Sequence, residues 1–251
     1  MKEQFLVFDW QGLIGHFRKL DTNSSSLSYS FPPPTAISGM LAGVCGMERD
    51  QYYSIFSPDN IQFAVQIRQR TRKFMQTVNY MFVKSKNDLN MSASTPHTQI
   101  PVELLVADKF PKKFLKFRIF LKIKEPALFE TLSTYLTRNK QKHIPYLGSA
   151  PFQSWLHNCA IKNVAVCDDS LNVQSVVPTK SFKNARNFFL DNKNPSALYF
   201  EHMRRFFREG REPGDMIDLV WDGNNGGIAS DFSSTVYRFE FNDESTNVIF
   251  F

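Results

Sequence analysis

Cysteine is scarce. Cys45, Cys159 and Cys167 are scattered and form no C-x-x-C pair, which argues against both a disulfide framework and a thiolate zinc site. No apolar run approaches the ~18 residues that a membrane-spanning helix needs. Lys2-Glu3 followed by a short strand-like run is no signal peptide, so no membrane partner and a cytoplasmic location are expected. Walker and dinucleotide-binding glycine patterns are missing too: Gly12-Leu13-Ile14-Gly15 and Leu147-Gly148-Ser149 match neither. The aromatic signature of a standard RRM is absent, as are paired carboxylates and a Ser/His/Asp set. No metal and no organic cofactor are expected.

What the chain does contain is ordinary core material and an excess of positive charge. Its 251 residues are 42% hydrophobic and 22% charged, with 25 phenylalanines, enough for one large domain or two small ones. A formal net charge of +6 favours an anionic partner without naming one.

Residues 2–9 (KEQFLVFD) read as a strand. A Ser-rich loop leads to three prolines and to a helix over about 36–47, with Thr35 as its expected cap. Residues 61–73 (IQFAVQIRQRTRK) alternate as a second strand, with Phe63, Val65 and Ile67 on one side. The polar stretch 85–98 reads as a mobile tip, after which QIPVELLV resumes an extended pattern. Residues 114–124 (FLKFRIFLKIK) alternate again. Pro126 then starts a helix with Leu128, Leu132, Tyr135 and Leu136 on its buried stripe, and a further strand is expected near 156–166. The order is strand, helix, strand, excursion, strand, helix, strand. It predicts an α+β fold, a ferredoxin-like βαββαβ unit at 1–166 whose second hairpin is expanded into an arm at about 71–112. Residues 167–251 form a smaller, mainly β region, with a basic helix over 194–210 and NNGG as a hairpin turn.

The first helix is unusual. Ile37, Met40, Leu41 and Val44 share one face, while Gly39, Ala42, Gly43 and Gly46 gather on the other. Each interior glycine costs about 1 kcal/mol relative to alanine. That face is expected to admit something at close range, either a neighbouring segment of the same fold, which is the favoured reading, or an RNA backbone approaching the helix N-terminus.

Charge falls in two stripes. Arg68, Arg70 and Arg72 recur at ~6.6 Å per two residues of strand, a spacing that can follow successive phosphates, and Lys73, Lys84 and Lys86 continue it. In the second stripe Lys116, Arg118, Lys122 and Lys124 interleave with Phe120, which suits stacking of a base beside its backbone. The alternative is that both stripes are solvated outer faces with lysines guarding a strand edge. For catalysis, His97, or Lys142-His143 with Tyr146, are the candidates for metal-free RNA cleavage. No partner that would orient a base is evident, and no catalytic residue is assigned.

GHFRKLDTNSSSLSYSFPPPTAISGMLAGVCGMERDQYYSIF resembles the signature of the Cas-five family of CRISPR-associated RAMP proteins, particularly the type I-B form. TVNYMF, HTQIPVELL and PYLGSAPF are similar to the arm borders and the post-helix glycine loop of that family. Pro34 stands where relatives often carry a basic residue. The resemblance implies a non-catalytic subunit of a Cascade-type interference complex that holds the 5′ handle of the CRISPR RNA (crRNA). It further implies contact with a backbone Cas-seven-type subunit and a large Cas-eight-type subunit, and with target DNA indirectly through the complex. His16, Arg18, Lys19 and Asn23 in the first loop, Arg68, Arg70, Arg72, Lys73 and Lys84 at the arm, Lys116, Arg118 and Phe120 on the sheet and Gly148 in the glycine loop are the expected RNA contacts. The alternative that the family also implies is a metal-independent endoribonuclease that processes precursor crRNA.

Overall fold

In the computed structural model, the described residues are 3–20, 22, 25–83, 85–90, 97–167, 172–184, 197–242 and 244–251, without the side chains of residues 87 and 90. A four-stranded antiparallel sheet lies at the centre. Its strands are β1 (Glu3–Gly12), β3 (Ile61–Ile67), β6 (Leu115–Ile123) and β7 (Ser154–Val164), in the order β3-β6-β1-β7. Helix α1 (Pro34–Cys45) follows β1 and α2 (Pro126–Thr137) follows β6.

Strand alternation decides what each face of this sheet covers. Leu6, Phe8, Trp10, Phe63, Val65, Phe117, Ile119 and Leu121 point into one core, which Ile37 and Leu41 of α1 and Leu128, Leu132 and Leu136 of α2 complete. Phe5, Val7, Ala64, Phe120 and Val164 point to the opposite face. Two strands, β14 (Val236–Glu240) and β15 (Ser245–Val248), bury that face with Tyr237, Phe239 and Val248.

Helix α1 begins at Pro34, and Thr35 makes no side-chain cap. Proline at the first helical position already has a helical φ and no N–H to satisfy, so it supplies the start that a cap was expected to mark. The helix ends at Gly46, whose φ of 73° lets the Met47 N–H reach the Ala42 carbonyl at 2.9 Å.

The strand expected to run through 61–73 stops at Ile67. Beyond Arg68-Gln69-Arg70 the chain leaves the sheet as β4 (Thr71–Met81), which pairs with β5 (His97–Ala107) from Thr71↔Ala107 to Met81↔His97. This two-stranded arm is fixed at its foot. There β2 (Ile14–Gly15) pairs with Val106 and Leu105, and Ser26 bridges Val102.

The chain after β7 contributes β8 (Val166–Cys167), β9 (Asn172–Val173), β10 (Val177–Pro178), β11 (Leu198–Arg204), β12 (Met216–Asp222) and β13 (Ile228–Ala229). The basic helix expected over 194–210 is replaced, from Leu198 to Arg204, by strand β11; residues 194–196 lie outside the described residues. Pairing with β12, from Leu198↔Asp222 to Arg204↔Met216, turns Glu201 and Met203 inward at a period of two, so a tertiary partner overrides local helical preference. NNGG does form a turn, with Asn225 at φ 61° and Gly227 at φ 85°. It is not a hairpin, because β12 pairs with β10 and β11 whereas β13 pairs with β9.

Candidate nucleic-acid interface

The second basic stripe is largely enclosed, with Lys124 left exposed at its end. Arg118 is buried and donates from Nε to Asp9 Oδ1 at 2.7 Å and from Nη1 to Glu244 Oε1 at 2.6 Å. Lys116 Nζ lies 3.3 Å from Asp9 Oδ2, and Lys122 Nζ lies 2.6 Å from both Glu3 Oε2 and the Tyr237 hydroxyl. The Phe120 ring has no exposed surface and sits 4.7 Å from that of Phe239. The expected base-stacking role of Phe120 and RNA contact by Arg118 are therefore corrected: the β14–β15 hairpin covers the ring, and Asp9 and Glu3 of β1 together with Glu244 pair Arg118, Lys116 and Lys122.

Asp9 lies at the centre of that network, fully buried, and also accepts from Asn158 Nδ2 at 2.8 Å. Burial alone raises its pKa. Hydrogen bonds from Arg118 and Asn158 and the charges of Arg118 and Lys116 outweigh burial and hold the carboxyl below its usual range. An irregularity in the β1–β7 register between Val7 and Asp9 accompanies the positive φ of Asn158, as a β-bulge does when it re-aims a side chain.

The first loop is also held internally. His16 is buried, with Nδ1 2.8 Å from the Glu103 carbonyl and Nε2 2.9 Å from Ser26 Oγ. Both ring nitrogens are occupied and the ring is inaccessible, so the expected RNA contact is corrected to a strut between loop and arm. Lys19 Nζ lies 2.5 Å from Glu201 Oε2, and Lys73 Nζ bonds the Ser28 carbonyl at 2.5 Å and reaches Glu103 at 3.3 Å and Glu201 at 3.6 Å. The buried Glu201 thus ties the first loop, the arm and β11 together. Arg18 stays exposed, with one 3.4 Å bond to the Thr22 carbonyl. Asn23 and Lys84 lie outside the described residues.

What remains of the first stripe is short and well placed. Arg68 pairs with Glu244. Arg70 and Arg72 are exposed and, among the described residues, neither guanidinium has a hydrogen-bond or ion-pair partner. With Lys73 they border a groove of about 440 Å³ at the base of the arm, whose other walls include Ser30, Asp108, Tyr199, Trp221 and Gly223. Sequence reasoning missed Tyr199 and Trp221. The available signal was the period-two alternation of LYFEHMR, which puts Tyr199 on the face of Glu201 and Met203, where it alone of the three is exposed.

The glycine face of α1 opens onto a second groove, of about 650 Å³, which also takes in Arg49, Tyr52, His143, Tyr146, Gly148 and Arg211. At Gly39 a Cβ would meet the Tyr52 hydroxyl at 3.2 Å, and at Gly46 it would meet the Lys142 side chain, but at Gly43 it would meet nothing within 4 Å. The neighbouring segment expected to pack this face therefore covers its two ends and leaves its middle open. Replacing Gly43 by alanine removes a helix-interior glycine without a clash and should raise stability by about 1 kcal/mol. A urea titration checks this; a lowered midpoint would show that the middle of the face is filled.

Gly148 has φ 83°, and the atom that a side chain there would strike is the His16 carbonyl oxygen. Glycine is required by close approach of the chain's own backbone, which accounts for the residue without an approaching RNA phosphate. Burial pushes the Tyr52 hydroxyl up to about 12, and among the described residues His143 makes no hydrogen bond to a carboxylate. The exposed His97 stands on the arm at the start of β5. The second groove thus contains an imidazole, phenols and the Asp50 carboxylate, which accepts from the Tyr53 hydroxyl at 2.6 Å and from Arg211 Nε at 2.7 Å.

Among the described residues no helix is long and apolar enough to cross a membrane. The family model for CRISPR-associated protein (Cas_Cas5) matches residues 5–108. In sequence, none of the curated proteins matches the chain. A solved chain titled as a CRISPR RNA-guided surveillance complex is similar in fold, with a TM-score of 0.51 and 11% identity over 91% of each chain. A CRISPR protein from Archaeoglobus fulgidus superposes with a TM-score of 0.53 and 14% identity, covering 98% of this chain and 99% of that one. At those identities the likeness is one of fold. Both carry the mixed, strand-rich architecture described above.

Proposed function

We propose that the chain is a Cas-five-type, non-catalytic RNA-binding subunit of a type I-B Cascade complex. It holds and caps the 5′ handle of the crRNA and joins a Cas-seven-type backbone filament to a Cas-eight-type large subunit in the cytoplasm. The observation that carries this reading is the pair of unpartnered guanidiniums, Arg70 and Arg72, at the foot of an arm that other cations of the chain brace from within. The family match over residues 5–108 supports it. The sheet order β3-β6-β1-β7, with a helix after β1 and after β6, supports a ferredoxin-like RAMP unit as its scaffold. Exposed Met75, Tyr80, Met81, Val83 and Leu89 on and beyond β4 suit an arm that is covered on assembly. Guide pairing then selects target DNA, and this subunit sets register.

Handle binding measured as salt is raised tests the proposal. Each phosphate contact on a single strand contributes about 0.7 to the log–log slope, so Arg70→Ala/Arg72→Ala should make the slope shallower by about 1.4. Arg68→Ala should leave it unchanged, because Arg68 already pairs with Glu244. Wild-type affinity and slope in the double variant would overturn the assignment.

The convergence of His143, Tyr52 and Tyr146 with Arg49 and Arg211 on the second groove favours the other reading, a metal-independent endoribonuclease acting on precursor crRNA. Repeat RNA incubated with the protein and EDTA is expected to stay intact. Cleavage at one position, lost in His143→Ala or His97→Ala, would establish the nuclease instead.

A further inference from the structure

We infer that Tyr199 is a nucleobase platform, with Arg70 and Arg72 holding the phosphate of the same or the adjacent nucleotide. The inference rests on the RNA-binding reading and adds to it a stacking site outside the arm and outside the sequence signature of residues 15–56.

Tyr199 is 50% exposed, unusual for a ring so firmly held. It pairs across β11 and β12 with Trp221, the two rings being nearly parallel at 21° with centroids 5.6 Å apart. Trp221 is itself buried and meets Phe31 edge-on at 5.1 Å. Gly223 closes against Tyr199 Cδ2 and Cε2 so tightly that any side chain there would displace the ring. An aromatic side chain fixed in this way loses little entropy on stacking, and the stack below it is extended by a base above.

The surroundings have the chemistry of a nucleotide site. The groove of about 440 Å³ falls within the ~300–1,000 Å³ range of small-ligand pockets, room for one nucleotide. Arg70, Arg72 and Lys73 border it, and Lys73 is already engaged by Glu103 and Glu201. Asp108 is the acidic group in the wall, with Oδ1 taken by Gln69 Nε2 at 2.7 Å and the Lys109 N–H at 2.8 Å. A carboxylate there repels phosphate and accepts a hydroxyl donor, so the sugar edge belongs on the Asp108 side and the phosphate on the arginine side. That arrangement favours RNA over DNA of the same sequence. Base stacking is tolerant of sequence, because every base offers a π-face.

Handle RNA binding by the full chain tests this. Tyr199→Ala should weaken binding by roughly 5- to 150-fold, the range for one stacked base, with the salt slope unchanged. Tyr199→Trp should retain affinity. Abasic substitution scanned along the handle should cost wild type a similar factor at one position, and Tyr199→Ala should be insensitive there, a coupling that general loss of stability does not produce. DNA of the same sequence should bind more weakly than RNA in wild type, by a margin that narrows in Asp108→Asn. Wild-type RNA binding with no effect of Tyr199→Ala and no sensitive abasic position would overturn the platform and leave the arginine reading intact. Absence of RNA binding by the wild type would overturn both.

Discussion

Asp9→Ala should destabilise the protein by about 3–5 kcal/mol, the range for removing one partner of a buried ion pair. Asp9 has no exposed surface and accepts from Arg118 and Asn158 while facing Lys116. Taking the carboxylate away leaves the buried Arg118 with Glu244 as its one remaining carboxylate among the described residues. Since domains are stable by only ~5–15 kcal/mol, a urea titration at neutral pH should show a large drop in midpoint. The penalty comes from the orphaned charge more than from the lost attraction. A second substitution, Arg118→Met, should therefore recover much of it, as buried pairs replaced together by apolar groups do. A double variant as unstable as Asp9→Ala would place the effect elsewhere.

The same network fixes the direction of acid sensitivity. Asp9 and Glu244 both titrate below their ordinary values of 3.8 and 4.5. For Glu244, burial works upward, while hydrogen bonds and charges from Arg68 and Arg118 bring it down on balance. The folded state then binds fewer protons than the unfolded chain across the carboxylate range, so the contribution is present in full above about pH 5. It is lost as pH falls through 4 toward the folded-state values. Melting followed from pH 7 to pH 3 should show this decline, blunted in the Asp9→Ala/Arg118→Met variant.

The central sheet, both helices and the arm were legible in the chain because each is written in a local period. Leu6, Phe8 and Trp10 alternate; Leu128, Leu132 and Leu136 recur along one helical stripe. Local period does not reveal what lies across a face, and there the reading failed. Lys116, Arg118 and Phe120 look like an RNA-facing stripe when β6 is considered alone. Only the arrival of Phe239 and Glu244, more than a hundred residues later in the chain, buries the ring and neutralises the guanidinium. The run 61–73 looks like one strand, since nothing local marks where β4 departs for its pairing with β5. Of the expected site, Arg70 and Arg72 survive as open cations, while His16, Lys19 and Lys73 turn out to brace the arm's foot. Tyr199 is not legible locally, because a basic segment over 194–210 reads as a helix and only pairing with β12 brings Trp221 beside it.

Phe239→Ala should cost about 3–5 kcal/mol, as truncation of a fully buried aromatic does, and its effect bears on whether the chain divides near residue 166. The ring is fully buried between Phe5, at 5.2 Å, and Phe120, at 4.7 Å. Around it the two parts of the chain are joined by main chain as well as side chains. Phe63 and Phe251 exchange two backbone bonds at 3.1 and 2.9 Å, and the Val176 N–H donates to the Val65 carbonyl at 2.7 Å. Val176, Met203, Leu219 and Phe251 belong to the same core as Trp10 and Leu41. A chain ending at residue 166 would expose Phe5, Val7, Ala64 and Phe120 together and leave Arg118 without Glu244. Such a patch drives aggregation in an isolated fragment. The fragment 1–166 should therefore be recovered insoluble or unfolded by circular dichroism, whereas Phe239→Ala should remain folded with a lowered midpoint. A soluble, cooperatively melting fragment would show that the first 166 residues fold alone and that the hairpin is an accessory cover. The ion network and the aromatic cluster predict the opposite, since the face they close is the second side of the sheet on which both helices pack.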